Sequence, residues 1–166
     1  YAVYGIRFEQ QKWLIQARKH RSFLIFTGEK GTESNERLEF LGDSVLGFVV
    51  TGFLFQKYPK LAEGELSKKR AVLVSKKVLA EISLEIGLGK FVLLNRGEEK
   101  TGGRSRERIL ANIFESVIGA IYLDKGYDSA RDFIEKYLIQ HHEKFEDSPD
   151  NLNYKSDFLE LVQSFL

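Results

Sequence analysis

Residues 35–46 read Asn35-Glu36-Arg37-Leu38-Glu39-Phe40-Leu41-Gly42-Asp43-Ser44-Val45-Leu46, and apolar residues continue at helical spacing to Tyr58. Pro59 follows, and the residue before a proline disfavours the α region. The spacing predicts one long helix over 35–58. Leu38, Leu41, Val45, Leu46, Val49, Phe53 and Leu54 spread around most of its circumference, the mark of a helix enclosed by its neighbours. Yet Glu36, Glu39 and Asp43 fall at i, i+3 and i+7, on one narrow face. Like charges so placed repel, and a carboxylate withdrawn from water costs several kcal/mol unless something compensates. The positive helix N-terminus serves Glu36 but not Asp43, two turns further in. A bound cation, a buried ion-pair network and a solvated face remain open. Clustered carboxylates without His or Cys are the ligand set of a hard cation, Mg²⁺ or Mn²⁺ in its place.

A second helix repeats the theme. In Ile109-Leu110-Ala111-Asn112-Ile113-Phe114-Glu115-Ser116-Val117-Ile118, Asn112 and Glu115 interrupt an apolar run at i, i+3. Two buried helices that each present oxygen ligands suggest a shared metal site inside a bundle. The remaining periodicity predicts helices over 6–19, 63–85, 106–124 and 129–145. A polar loop covers 27–34, and glycine-rich connections lie at Gly87/Gly89 and at 97–103. Strand signals are nearly absent, since Phe91 to Leu94 is short. The class is all-α.

The chain has 166 residues, 43% hydrophobic and 30% charged, with a net charge of +1. That composition suits a core-forming domain, and bulk charge alone selects no partner. With no Cys, a disulfide scaffold, thiolate metal sites and a cysteine nucleophile are excluded, which fits a reducing, cytoplasmic setting. The longest mostly apolar stretch, Val45 to Phe55, reads as too short to span a bilayer, so no membrane partner is expected. Residues 1–147 read as one domain and 148–153, with Pro149, as a linker. In 154–166, Phe158, Leu161, Val162 and Phe165 form an amphipathic stripe, expected to be the first helix of a second domain whose remainder is absent, the alternative being a C-terminal helix that folds back on the bundle.

Residues 35–46 resemble the signature motif of the ribonuclease III endonuclease domain. The resemblance continues through His20-Arg21-Ser22, Glu63-Gly64-Glu65-Leu66-Ser67 with Arg70-Ala71, and Gly97-Glu98-Glu99-Lys100-Thr101-Gly102-Gly103. It ends in Phe114-Glu115 followed by Ile118-Gly119-Ala120-Ile121-Tyr122-Leu123-Asp124. These blocks keep the family's order across roughly residues 8 to 145. Tyr154-Lys155-Ser156, with Glu160 and Gln163, resembles the start of the double-stranded RNA-binding domain that usually follows in bacterial members. The resemblance implies the endonuclease-domain helical bundle and a divalent-metal-dependent endoribonuclease. Such an enzyme hydrolyses double-stranded RNA to 5′-phosphate and 3′-hydroxyl ends in rRNA and mRNA processing, without an organic cofactor.

Carried over by position, Glu39, Asp43 and Glu115 become metal ligands or catalytic carboxylates. Glu36 and Glu63 fall at the cleft rim, and Glu98 matches another acidic position. Asn112 departs from the family's usual Asp; an amide oxygen still ligates Mg²⁺ but brings no charge. On this reading Glu39, Asn112 and Glu115 hold the ion, while Asp43 and Glu115 orient and activate the water. The departure leaves a catalytically weakened or inactive RNA-binding paralogue as the alternative. Lys68, Lys69, Arg70, Lys76 and Lys77, and Lys100, Arg104, Arg106 and Arg108, are basic candidates for phosphate contact, and Gln163 joins them through the second domain. His141 and His142 read as surface residues. The resemblance implies that Phe40 inserts into a socket on a second subunit, giving a homodimer with one acidic centre per chain.

Overall fold

The helix expected over 35–58 forms as α3 (Glu36–Lys57), and the helix expected over 106–124 forms as α7 (Glu107–Lys125). The computed structural model describes residues 5–146, with the backbone of Ala2 and Val3. The expected linker, the segment 154–166 and Gln163 lie outside the described residues. Two short strands, β1 (Ala2–Val3) and β2 (Ile6–Arg7), pair antiparallel ahead of the helices. The other helices are α1 (Gln11–Arg18), α2 (Arg21–Thr27), α4 (Glu63–Leu73), α5 (Lys76–Glu85), α6 (Arg96–Lys100), α8 (Tyr127–Tyr137) and α9 (His142–Glu146).

The core is built around α7, whose Ile113, Phe114, Ile118 and Ile121 are fully buried in one cluster with Leu46 and Leu54 of α3, Leu79 and Ile82 of α5 and Ile134 of α8. Each such side chain contributes roughly 1.5–3 kcal/mol by leaving water. The contact between α3 and α7 is closer than side chains normally allow. A methyl group at Gly42 would stand 1.8 Å from the Glu115 carbonyl oxygen, and one at Gly119 would stand 2.3 Å from the Leu38 carbonyl oxygen. Each helix lays a glycine against the other's backbone, so the crossing point is fixed by main-chain contact.

Several boundaries differ from expectation. The helix expected from Ile6 begins only at Gln11, because the Asp124 carboxylate accepts from the amides of Glu9 and Gln10 (2.8 and 2.7 Å). That holds the entering chain against the end of α7. The stretch 63–85 is two helices. Ser75 separates them and caps α5, its hydroxyl accepting from the Val78 amide. Phe91 to Leu94 contributes a single bridge, Leu93 to Lys19. The stretch expected as one helix over 129–145 is α8, a 3₁₀ turn and α9. His142 is buried rather than superficial: its Nδ1–H donates to the Ile139 carbonyl (2.7 Å) and its ring meets the Phe53 ring at 4.9 Å.

The helix α3 has two unlike faces. It has the length and apolar content of a membrane-crossing helix, yet one face packs in the core and another is uncovered. Phe40, Phe48 and Phe55 are 79%, 69% and 70% exposed, and Asp43 is exposed as well. Among the described residues only the Tyr127 ring of α8 approaches this face, edge-on to Phe48 at 5.8 Å.

Candidate functional site

Because the two glycines bring α3 and α7 into backbone contact, Glu39 and Asp43 come beside Glu115, with Asn112 one turn before it. Glu115 is only 7% exposed, and it has no ion pair or hydrogen bond to its carboxylate among the described residues. Burial pushes its carboxyl up to about 7, and the charges of Asp43 and then Glu39 push the same way against Lys76. Glu39 is also raised, by burial first, with Glu36 and Asp43 adding and Lys76 and Arg108 opposing. Three acids on two helices thus act within one field, and none has an ion-pair partner among the described residues. Among the described residues, the buried ion-pair network that the spacing left open does not form at this site.

The donor set fits a hard cation. All donors are oxygens, and the Asn112 Oδ1 is buried without a hydrogen-bond partner, a state that costs about 1–3 kcal/mol unless something meets it. Asn112 is otherwise ordinary helix, its carbonyl accepting from the Ser116 hydroxyl at 2.6 Å. Among the described residues no three His, Asp or Glu side chains already enclose one point. The backbone gathers the acids, and the side chains stand apart as mutual repulsion dictates.

The rim residues are differently engaged. Glu36 is exposed, accepts from the Ser34 hydroxyl (3.3 Å) and lies 3.8 Å from Arg21. Glu63 accepts from Ser67 within the first turns of α4 (2.6 Å), and Glu98 is paired with Arg106. Two of the basic candidates turn inward. Arg104 donates to the Val92 and Gly89 carbonyls (2.8 and 3.2 Å) and to Glu99 (2.7 Å), clamping the connection before α7. Lys69 is committed to Glu146 at 2.6 Å and lies over the Tyr58 ring. Arg70 reaches Thr51 at 3.4 Å and remains exposed. Sequence reading missed a hollow of about 650 Å³ beside Phe40, lined by Trp13, Gln16, Leu41 and Leu123 among others. The lone Trp, on an amphipathic first helix, was the available signal.

The raised Glu115 makes folding pH-dependent. In the folded chain it keeps its proton up to about 7, whereas the ordinary value is 4.5. Between those values the folded state binds more protons than the unfolded state, so stability falls as pH rises through that window. Urea midpoints in EDTA are expected to drop between pH 5 and pH 8, and Glu115→Gln should remove most of that slope. An equal slope in both proteins would show the carboxylate to be better solvated than its surroundings indicate.

Residues 10–142 match the Ribonuclease-III-like family. Curated relatives named ribonuclease 3, from Bacillus cytotoxicus and Bacillus cereus, are 45% and 44% identical over 161 residues, which is 96% of this chain and 64% of theirs. The chain therefore spans less than two thirds of their length. A solved nuclease domain of ribonuclease III from Campylobacter jejuni, described for flexibility in its region involved in dimer formation, is 43% identical with a TM-score of 0.72, covering 80% of this chain and 92% of that one. Dicer from Pichia stipitis is 31% identical with a TM-score of 0.61, covering 85% of this chain and 59% of its own.

Proposed function

The chain belongs to the ribonuclease III family, and from that premise we propose that it is the nuclease part of a divalent-metal-dependent, cytoplasmic endoribonuclease. It cuts double-stranded RNA to 5′-phosphate and 3′-hydroxyl ends, in rRNA and mRNA processing. The observation that carries this reading is the buried, unpaired Glu115 sharing a field with Glu39 and Asp43.

Glu39, Asn112 and Glu115 would hold Mg²⁺, or Mn²⁺ in its place. The ion, when bound, neutralises the approaching phosphodiester and lowers the pKa of a water. Asp43 and Glu115 would orient a water for attack on phosphorus, and a carboxylate oxygen of Asp43 or Glu115 would take its proton. As the new P–O bond forms the P–O3′ bond breaks, and the 3′ oxygen takes a proton from solvent to become the 3′-hydroxyl. Asn112 lowers the charge of the site without removing a donor, so the weakened-paralogue reading is not favoured while Glu39, Asp43 and Glu115 are intact. An A-form duplex is read by shape through phosphates and 2′-hydroxyls. Exposed Arg21, Lys68, Arg70 and Arg108 are the side chains proposed to meet it. The test is cleavage of a generic RNA duplex in Mg²⁺; equal cleavage in EDTA would overturn the metal dependence.

The partner we propose is a second copy. Phe40 stands in water beside an apolar hollow on its own surface, and a two-fold axis lets each ring fill the other's hollow. A symmetric interface repeats every contact, and each buried ring contributes about 2 kcal/mol. Two acidic centres then act on opposite strands and produce a staggered cut. Phe40→Glu is expected to sediment as a monomer at micromolar concentration where the parent chain is a dimer. An unaltered dimer would place the interface elsewhere.

A further inference from the structure

The start of α5 brings a cation to the acidic cleft. The Ser83 hydroxyl donates to the Leu110 carbonyl at 2.8 Å, and just after α5 the Gly89 backbone abuts Arg104 and Leu110. So α5 runs antiparallel to α7. At a rise of about 1.5 Å per residue, following α5 back from Ser83 covers about 10 Å to Lys76. Following α7 forward from Leu110 covers about 8 Å to Glu115. Lys76 is the first residue of α5, capped by Ser75, and its side chain is exposed. Its charge falls on both Glu39 and Glu115, on two different helices, yet it forms an ion pair with neither. A lysine is a compact charge on a flexible four-carbon stem, so an ammonium shared between two partners and locked to none is free to change them.

We propose that Lys76 is a resident cation of the cleft that contacts the scissile phosphate. Its ammonium offsets Glu39 and Glu115 in the ion-free protein and passes to a non-bridging phosphate oxygen when the duplex is bound. This rests on the ribonuclease reading. The same charge that attracts the phosphate opposes entry of a divalent ion, so removing it has effects of opposite sign. The Asn112 amide makes this balance sharper, because the cleft sets three carboxylates rather than four against the lysine.

The experiment compares the parent chain, Lys76→Gln and Lys76→Arg in two measurements. One is calorimetric titration of Mn²⁺ into RNA-free protein. The other is single-turnover cleavage of an RNA duplex at saturating Mn²⁺. For Lys76→Gln the Mn²⁺ dissociation constant should fall about three- to tenfold, while the cleavage rate falls about tenfold. Lys76→Arg should stay near the parent in both. A purely structural role would move both measurements in the same direction or neither. Lys76→Gln cleaving at the parent rate, or binding Mn²⁺ no tighter, overturns the assignment. Failure of the parent chain itself to cut the duplex overturns the ribonuclease reading and this contact with it. A parent that cuts while the variants do not separate sinks the contact alone.

Discussion

Glu115→Gln is expected to lower the rate of duplex cleavage in Mg²⁺ about 10³-fold, within the range that a positioned acid–base group supplies, while circular dichroism stays helical. Gln keeps the volume of a side chain that is 7% exposed, so the packing of α7 against α3 survives. What disappears is the negative charge, and with it, on the proposed mechanism, both the pull on a divalent ion and a group placed to take the water's proton. No buried cationic partner is orphaned by the change, because Glu115 has no ion pair among the described residues. In EDTA at pH 8 the variant should therefore be at least as stable as the parent, the usual sign that a residue is kept for chemistry at a cost in stability. Single-turnover kinetics and urea melts of the two proteins check both halves. Parent-like turnover would remove the mechanism.

Gly42→Ala is expected to destabilise the fold by about 3 kcal/mol or more, the upper end of what overpacking costs. In an exposed helix interior the same change stabilises by about 1 kcal/mol. The sign reverses here because the new methyl would lie 1.8 Å from the Glu115 carbonyl oxygen, which is backbone and has no rotamer into which to retreat. The helices must part, and Glu39 and Asp43 part from Glu115 with them, so activity at low temperature should fall along with the urea midpoint. Gly52→Ala is the control on the same helix: nothing lies within 4 Å of its added methyl, and its midpoint should hold or rise. Equal behaviour of the two variants would mean the crossing is looser than the backbone contact implies.

Much of this was legible in the residues. Proline stopped α3 where expected, and Glu39 and Asp43 of α3 act on Glu115 of α7, as the spacing on the two helices suggested. What the spacing could not show was which apolar side chains would find cover. Phe48 and Phe55 sit on the same helix as the core residues, and only the arrangement of the other described helices shows them exposed. Spacing also left open whether Asp43 was solvated, and the structure exposes it. Likewise a basic residue on a helix looks the same in sequence whether it meets solvent or turns inward. Arg104 and Lys69 turn inward because loop carbonyls in one case, and Glu146 in the other, need a donor. Ser75 did carry the signal for the break between α4 and α5, as a capping residue in front of Val78, but continuous helical periodicity on either side hid it.

The reciprocal seating of Gly42 and Gly119 has a consequence for how such a protein can change over generations. Spacing across the cleft is set by main-chain atoms in van der Waals contact, which act as a rigid ruler that no substitution among the acids themselves can shorten. Side chains mounted on that ruler can be exchanged, and the spacing between the two helices is inherited unchanged.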